Sequence, residues 1–229
     1  TQVRGMNVAI RNANDAISLS QTAEGALSKI NDMGQRMREL AVQSANATNN
    51  DEDRKALNQE YQALAEEIKR NLAGTSFNGT KLFSAGSALT FQVGANNATT
   101  DQITITTATM TGDTDLSNAL GAMGANAASA PGISSFTFAT DALGKLDTML
   151  AKINSKRAEF GAIQNRFQAV IENLQVSAEN QTAARSRIMD ADFASETASL
   201  TRSQVLQQAG TAMLSQANSL PNNVLSLLR

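Results

Sequence analysis

The sequence predicts a mainly α-helical protein with a small β insert, in which antiparallel helices form an elongated, coiled-coil-like rod that ends in an apolar C-terminal helix. Two long stretches, one near each end of the chain, place apolar residues three or four positions apart, which is the spacing of a helix face. Between them, short segments alternate apolar and polar residues with the period of a strand. The 229 residues include only 2 Pro and 14 Gly, so long helices meet few helix breakers.

Residues 1–75 are predicted to form the N-terminal part of the rod as two antiparallel helices. The first helix is predicted from about Gly5 to Ala47, and the break after it ends at Asn50, a residue type favoured as a helix N-cap. A second helix is predicted to continue to about Ala73. Its apolar stripe consists of Leu57, Tyr61, Leu64, Ile68 and Leu72.

Residues 76–106 are predicted to form a region of short β-hairpins. The Asn-Gly pair at residues 78–79 is typical of a two-residue hairpin turn. Residues 89–93 and 103–106 alternate apolar and polar side chains, which indicates two further strands. Residues 107–138 are rich in Gly, Ala, Ser and Thr, so they are predicted to be a short variable insert that buries little core.

Residues 139–189 are predicted to form the C-terminal helix of the rod. Its large apolar residues follow a repeat of about 3.5 residues, which is typical of a coiled-coil seam. Arg157 and Gln164 occupy two positions of this seam where apolar residues are expected. The apolar members of the seam are Leu143, Leu146, Leu150, Ile153, Phe160, Phe167, Ile171 and Leu174.

Residues 190–229 are predicted to be the C-terminal half of a terminal domain, and their composition is unusual for a chain end. No charged residue occurs between Arg202 and Arg229, whereas chain ends are usually polar and frayed. An uncharged helix with many large apolar residues favours contact with a partner over exposure to solvent. The Gln and Asn side chains of this segment, together with Pro221, argue against a membrane span. The predicted contact residues are Val205, Leu206, Met213, Leu214, Leu220, Val224, Leu225, Leu227 and Leu228.

The composition of the chain excludes most catalytic and metal chemistry. There is no His and no Cys, which removes imidazole bases, thiol nucleophiles and the usual zinc ligands. A net charge of −2, with one Tyr and no Trp, argues against nucleic acid as a partner. Nearby carboxylates such as Asp190 and Asp192 are interpreted as solvated, because side chains two apart on a helix point in different directions. The sequence therefore predicts no catalytic residue, no metal site and no cofactor.

Seven short segments, spread in order over nearly the whole chain, carry a family resemblance. They are Gln35–Asn46 in the first helix, Phe77–Gly79 and Gln92–Asn96 in the hairpin region, Gly161–Phe167 and Ala184–Asp192 in the C-terminal helix, and Leu206–Gly210 and Val224–Leu228 near the end. Together they resemble the helix and hairpin motifs of bacterial flagellin, the subunit of the flagellar filament. The resemblance implies a helical rod domain in the filament wall and a terminal domain that lines the central channel.

The resemblance also implies function and partners. It implies a structural protein that is secreted by the flagellar type III system and polymerises with copies of itself into an extracellular filament for motility. An export chaperone is implied as a partner of the C-terminal tail, and filament cap and hook-associated proteins are implied as further partners. A vertebrate Toll-like receptor is implied as a partner of monomers, with Arg36, Leu40 and Glu60 in its surface and in the axial subunit contact. The plainer interpretation of this helix face is internal packing by Met37, Leu40 and Ala41.

Thr1 opens directly on a helical pattern without an initiating Met, so we expect an N-terminally truncated chain that lacks the helix partner of its tail and stays monomeric. One alternative function is that of the hook–filament junction protein of the same family, which has related terminal helices. Another is a cell-surface module that binds a glycan through the β insert. An enzyme is least favoured, because the metalloprotease motif that some flagellin inserts carry requires His, which this chain lacks.

Overall fold

The computed structural model confirms a mainly helical chain with two small antiparallel β-hairpins. The chain divides into two units, Thr1–Glu179 and Asn180–Arg229. Side chains are described as far as residue 217, and the described residues are 1–84, 86, 88–107, 110–111, 116, 132–190 and 193–227.

The first two helices pack antiparallel, as predicted. Helix α1 comprises Gln2–Ser44 and helix α2 comprises Asp51–Gly74. The Nε of Arg36 in α1 lies 2.8 Å from Oε1 of Glu60 in α2, and Arg54 near the start of α2 donates to the carbonyl of Ser44 at the end of α1. Later residues of α1 therefore contact earlier residues of α2, as antiparallel packing requires. Asn50 caps α2 as predicted, because its side chain accepts a hydrogen bond from the amide of Asp53 at 2.8 Å. The Asp53 carboxylate completes the capping box by accepting from the amide of Asn50 at 3.2 Å.

The turn between α1 and α2 is held by the buried guanidinium of Arg54. Its Nη2 donates to the carbonyl oxygens of Asn46 and Asn49 at 3.1 and 3.2 Å, and its Nη1 donates to the carbonyl of Ser44. The Ser44 and Asn46 carbonyls lie at and just beyond the end of α1, where main-chain acceptors lack helix partners. This role of Arg54 was not predicted from the sequence, although Arg54 lies three residues before Leu57 and so extends the apolar stripe of α2 by one turn.

Both predicted hairpins are present. Strands β1 (Ser76–Phe77) and β2 (Thr80–Lys81) are joined by Asn78 and Gly79, whose φ angles of 46° and 79° are those of a type I′ turn. Strands β3 (Ala88–Gln92) and β4 (Gln102–Thr106) also pair antiparallel. Leu89 lies opposite Ile105 and Phe91 opposite Ile103, so this hairpin presents an apolar face to the core around α1.

The prediction that the insert buries little core is wrong for its described part. Met110, Leu116 and Ile133 are all buried. Ile133 is also held through its main chain, since its amide donates to Oδ1 of Asn58 at 2.8 Å and its carbonyl accepts from Oγ of Ser44 at 2.5 Å. Residues 108–109, 112–115 and 117–131 of the predicted insert lie outside the described residues.

Helix α3 comprises Phe136–Met189 and begins three residues before the predicted boundary. It runs antiparallel to α1, because Asp147 contacts Arg38 at 2.6 Å and Gln164 contacts Glu24 at 2.9 Å. Leu143, Leu150 and Leu174 are half-buried. The seam residues that are buried, as predicted, are Leu146, Ile153, Phe160, Phe167 and Ile171.

The two polar residues of the α3 seam have the same partner in α1. Gln164 Nε2 donates to Oε2 of Glu24 at 2.9 Å, and Nη2 of Arg157 lies 4.0 Å from Oε1 of the same carboxylate. Among the residues that the structure describes, the buried Nε of Arg157 has no hydrogen-bond partner. Because polar groups in a helix seam favour the one alignment that satisfies them, this cluster favours the observed register of α1 on α3.

Two glycines of α1 provide a test of how closely α3 packs. A methyl group on Gly34 would lie 2.9 Å from Cδ2 of Leu150 and from Cε of Met149, whereas at Gly25 it would meet no atom of the described residues within 4 Å beyond the adjacent helix backbone and chain neighbours. We expect Gly25→Ala to raise the free energy of unfolding by about 0.5–1 kcal/mol, since Ala is the better helix former. Gly34→Ala has the same gain in helix propensity, but it also brings an overpacking cost of about 1–3 kcal/mol. We therefore expect it to lower the free energy of unfolding. Thermal unfolding of both variants measures the difference, and equal stabilisation by both would contradict the α1–α3 packing.

Candidate interaction surfaces

The C-terminal helix α4 comprises Phe193–Leu227 and exposes the first four of the predicted contact residues. Val205 is 57% exposed, Leu206 66%, Met213 70% and Leu214 65%. Four more of the predicted contact residues belong to α4 by their backbone, but their side chains are not among those described. These four are Leu220, Val224, Leu225 and Leu227. Both the backbone and the side chain of Leu228 lie outside the described residues.

Three of the exposed apolar residues of α4 lie on one side of the helix. Met213 follows Val205 by eight residues and Leu206 by seven, and these are spacings that return a side chain to the same helix face. Leu214 borders this group. The opposite side carries uncharged polar residues at the same kind of spacing, namely Gln204, Gln208, Thr211 and Ser215. A face of this kind is typical of a surface that becomes buried against another helix.

Four exposed apolar residues lie upstream of this group, and none of them was predicted from the sequence as a contact residue. Leu200 is 56% exposed. Ile188 is 82% exposed, Met189 69% and Phe193 80%. They follow the part of the sequence, residues 175–187, in which the apolar repeat weakens. The signal that could have revealed them is the large size of their apolar side chains. Neighbouring Asp190 accepts a hydrogen bond from Oγ of Ser186. Asp192, quoted in the family resemblance, lies outside the described residues.

A second surface lies on α1 and α2 in the first unit. Arg36 Nε donates to Oε1 of Glu60 at 2.8 Å, and its Nη1 donates to Oε2 of Glu39 at 3.0 Å. The hydrogen bond to Glu60, followed by that to Glu39, raises the pKa of Arg36 above its ordinary value. The charges are exposed, so these ion pairs contribute little to stability and remain available to a partner.

Leu40 does not share this surface. Its side chain is 0% exposed, and Met37 and Ala41 beside it are also 0% exposed, as the internal-packing interpretation predicts. Residue 40 lies only one turn from residue 36, but α1 packs against both α2 and α3 and therefore buries a wide stripe. The structure thus brings Arg36 and Glu60 together and corrects the placement of Leu40 in the same exposed surface.

A third ion pair borders the same part of α1. Arg38 Nε lies 2.6 Å from Oδ1 of Asp147 in α3, and its hydrogen bond lowers the pKa of the Asp147 carboxyl. Both side chains are about half exposed, so the pair marks the edge of the α1–α3 contact and not its core. Val42 is 51% exposed and lines an open groove beside Arg38.

The described part of the chain offers no site for metal chemistry, since no group of three or more His, Cys, Asp or Glu side chains in it could hold an ion. None of the described helices combines the length and the hydropathy that a membrane crossing requires.

Family models match both ends of the chain. Residues 1–88 match the bacterial flagellin N-terminal helical region, and residues 143–228 match the bacterial flagellin C-terminal helical region. The chain belongs to the bacterial flagellin family. The two matched regions coincide with α1, α2 and the first hairpin, and with most of α3 and all of α4.

Individual flagellins are similar over the whole chain. A flagellin of Halalkalibacterium halodurans is 44% identical over 100% of this chain and 80% of its own length. A flagellar filament core protein of Treponema maltophilum is 38% identical over 100% of this chain and 82% of its own length.

Solved structures give the same result for the fold. The crystal structure of Bacillus cereus flagellin matches with a TM-score of 0.60 and 32% identity, over 76% of this chain and 94% of that one. A putative flagellar hook-associated protein of Vibrio parahaemolyticus matches with a TM-score of 0.63 over 80% of this chain and 92% of that one. At 12% identity, the second match is evidence for a shared fold alone.

Family membership confirms the predicted function at its coarse level. The chain is a structural subunit of a bacterial flagellar filament and not an enzyme. Flagellin subunits polymerise with one another, and the filament that they form is extracellular. The surfaces described above are candidates for the contacts that build it.

Proposed function

We propose that the exposed apolar face of α4 is the surface by which this flagellin packs against neighbouring subunits in the filament. The observation that carries the proposal is the exposure of Val205, Leu206, Met213 and Leu214 on a helix with no charge after Arg202 within its described side chains. Large apolar side chains in this number are unfavourable in water, so their burial between subunits would drive assembly. The predicted contacts beyond residue 217 are proposed to continue the same surface.

The same face is proposed to bind an export chaperone before assembly, when the subunit is secreted by the flagellar type III system. An exposed apolar helix is an aggregation hazard in a monomer, and a groove that accepts an amphipathic helix would cover it. Filament cap and hook-associated proteins are proposed to contact the subunits at the filament ends. The glycan-binding alternative depends on the insert, most of which lies outside the described residues.

Arg36 and Glu60 are proposed as contact residues of a different kind. They are exposed, opposite in charge and joined across two helices, so they present a fixed polar feature to a partner. Axial subunit contact and binding of monomers by a vertebrate Toll-like receptor are the proposed uses of this pair. Leu40 is buried, so it would contribute only indirectly, by packing under the part of α1 that carries Arg36.

Leu206→Asp tests the assembly proposal. We expect the critical concentration for filament formation by the protein to rise at least about tenfold, because an unpaired carboxylate would be buried between subunits. Leu206→Met is the matched control, since it keeps an apolar side chain of similar volume and is expected to assemble like the parent. Sedimentation of filaments at a series of protein concentrations gives the critical concentration of each variant.

Circular dichroism of the monomers separates assembly from folding. Leu206 is two-thirds exposed, so neither substitution is expected to lower the helix content of the monomer. Assembly of Leu206→Asp at the parental critical concentration would overturn the proposal. A collapse of helix content in Leu206→Asp alone would also overturn it, because Leu206 would then belong to the fold of the subunit.

A further inference from the structure

Met213 places a sulfur atom in the exposed apolar face of α4. Its side chain is 70% exposed and shares a helix side with Val205 and Leu206. A thioether in this position is apolar enough to pack against another subunit and accessible enough to react while it remains in solvent.

The other described methionines divide sharply by exposure. Met33 is half-buried, and Met189, at the end of α3, is the second exposed one at 69%. The buried ones, each at most 6% exposed, are Met6, Met37, Met110 and Met149. Since the chain contains no Cys, methionine is its only sulfur chemistry. Within the described residues, the second unit therefore holds both readily oxidised side chains.

We propose that Met213 is an oxidation site of the unassembled subunit and that its sulfoxide prevents α4 from packing into a filament. The second half of this inference rests on the proposed assembly role of α4, whereas the first half does not. Once the face is buried between subunits, its sulfur is shielded, so the modification acts on monomers and not on filaments.

The oxidant is a peroxide, and the step is balanced with hydrogen peroxide. A lone pair of the Met213 sulfur attacks one peroxide oxygen, so that an S–O bond forms as the O–O bond breaks. The proton of the attacked oxygen passes to the departing hydroxide, which leaves as water. Sulfur loses two electrons and the peroxide gains them. The sulfoxide oxygen is a strong hydrogen-bond acceptor at a position that was apolar before oxidation. Methionine sulfoxide reductases can reduce the sulfoxide back to methionine.

Peptide mass spectrometry after a short exposure of monomers to dilute hydrogen peroxide tests the site. We expect Met213 and Met189 to be oxidised at least about tenfold faster than the buried methionines, which react only through opening of the fold. The same treatment of assembled filaments is expected to leave Met213 at least about tenfold less oxidised than in monomers. Equal rates at Met213 and at the buried Met37 would overturn the proposal.

Assembly of the treated protein tests the consequence. We expect the critical concentration of the peroxide-treated parent to rise about tenfold, because a sulfoxide would be buried without a hydrogen-bond partner. Reduction by methionine sulfoxide reductases is expected to restore the critical concentration of the untreated protein. Met213→Leu keeps the apolar volume without the sulfur and is expected to assemble normally before and after treatment. Met189→Leu removes the other exposed sulfur and is expected to remain sensitive, which assigns the effect to Met213.

Comparison with Leu206→Asp distinguishes the two proposals. If Leu206→Asp blocks assembly while the parent oxidised at Met213 assembles normally, the oxidation proposal fails and the assembly proposal stands. If neither change affects assembly, the assembly proposal fails together with the second half of the oxidation proposal. Sensitivity to peroxide that persists in Met213→Leu would also overturn the assignment to this residue.

Discussion

Replacing Phe167 by Ala is expected to lower the free energy of unfolding of the first unit by about 3–5 kcal/mol, the usual cost of deleting a fully buried aromatic side chain. Phe167 is 0% exposed and lies on the α3 face that packs against the core. Its ring meets that of Phe91 in β3 edge to face, with 5.8 Å between the ring centroids and 82° between the planes. The variant therefore loses both apolar burial and the contact that ties α3 to the second hairpin.

Phe138→Ala is the matched control, because it removes the same side chain from the same helix at a position that is 43% exposed. Its cost is expected to stay within about 0.5–1 kcal/mol. Tyr61 is the only tyrosine of a chain without Trp and is buried in the first unit, so its fluorescence follows the unfolding of that unit by denaturant. Equal losses for the two variants would mean that Phe167 does not join α3 to the core.

Arg54→Met is expected to lower the free energy of unfolding of the first unit by roughly 2–4 kcal/mol. The change removes the donors to the Ser44, Asn46 and Asn49 carbonyls. A hydrogen bond from a charged donor contributes roughly 1.5–3 kcal/mol, and a buried acceptor left without a partner adds its own cost. The apolar stem of Met retains part of the packing of Arg54, so the loss reports mainly on the carbonyl contacts.

Lys55→Met provides the control for charge. Lys55 is exposed and next in sequence, so this substitution removes the same positive charge from the N-terminal part of α2. It is expected to change the free energy of unfolding by less than about 0.5 kcal/mol. Tyr61 fluorescence during denaturant unfolding compares the two, and a loss in Lys55→Met as large as that in Arg54→Met would assign the effect to net charge.

Local signals in the sequence predicted the elements well because each depends on neighbouring residues. Asn78 and Gly79 adopt the positive φ angles that a type I′ turn requires, and Asn50 forms its cap with a residue three positions away. The buried seam of α3 followed from spacing alone. Where the prediction concerned only a turn of helix or a hairpin, short-range chemistry was sufficient.

Features that depend on distant residues could not be predicted. Arg157 and Gln164 stood out as polar residues in an apolar seam, but their partner Glu24 lies more than 130 residues earlier in the chain. The family resemblance placed Leu40 in a receptor and subunit-contact surface, whereas the helix face alone predicted internal packing, and Leu40 is 0% exposed. In the insert, isolated apolar residues such as Met110 fill the core without any repeat that would reveal them.

Helical reconstruction, by electron cryomicroscopy, of the filaments that this protein forms tests the central claim most directly. The described exposed face of α4 is expected to be buried against neighbouring subunits, with Val205, Leu206 and Met213 in van der Waals contact with apolar side chains of another copy. A filament in which these side chains still face solvent, while other surfaces join the subunits, would contradict the account.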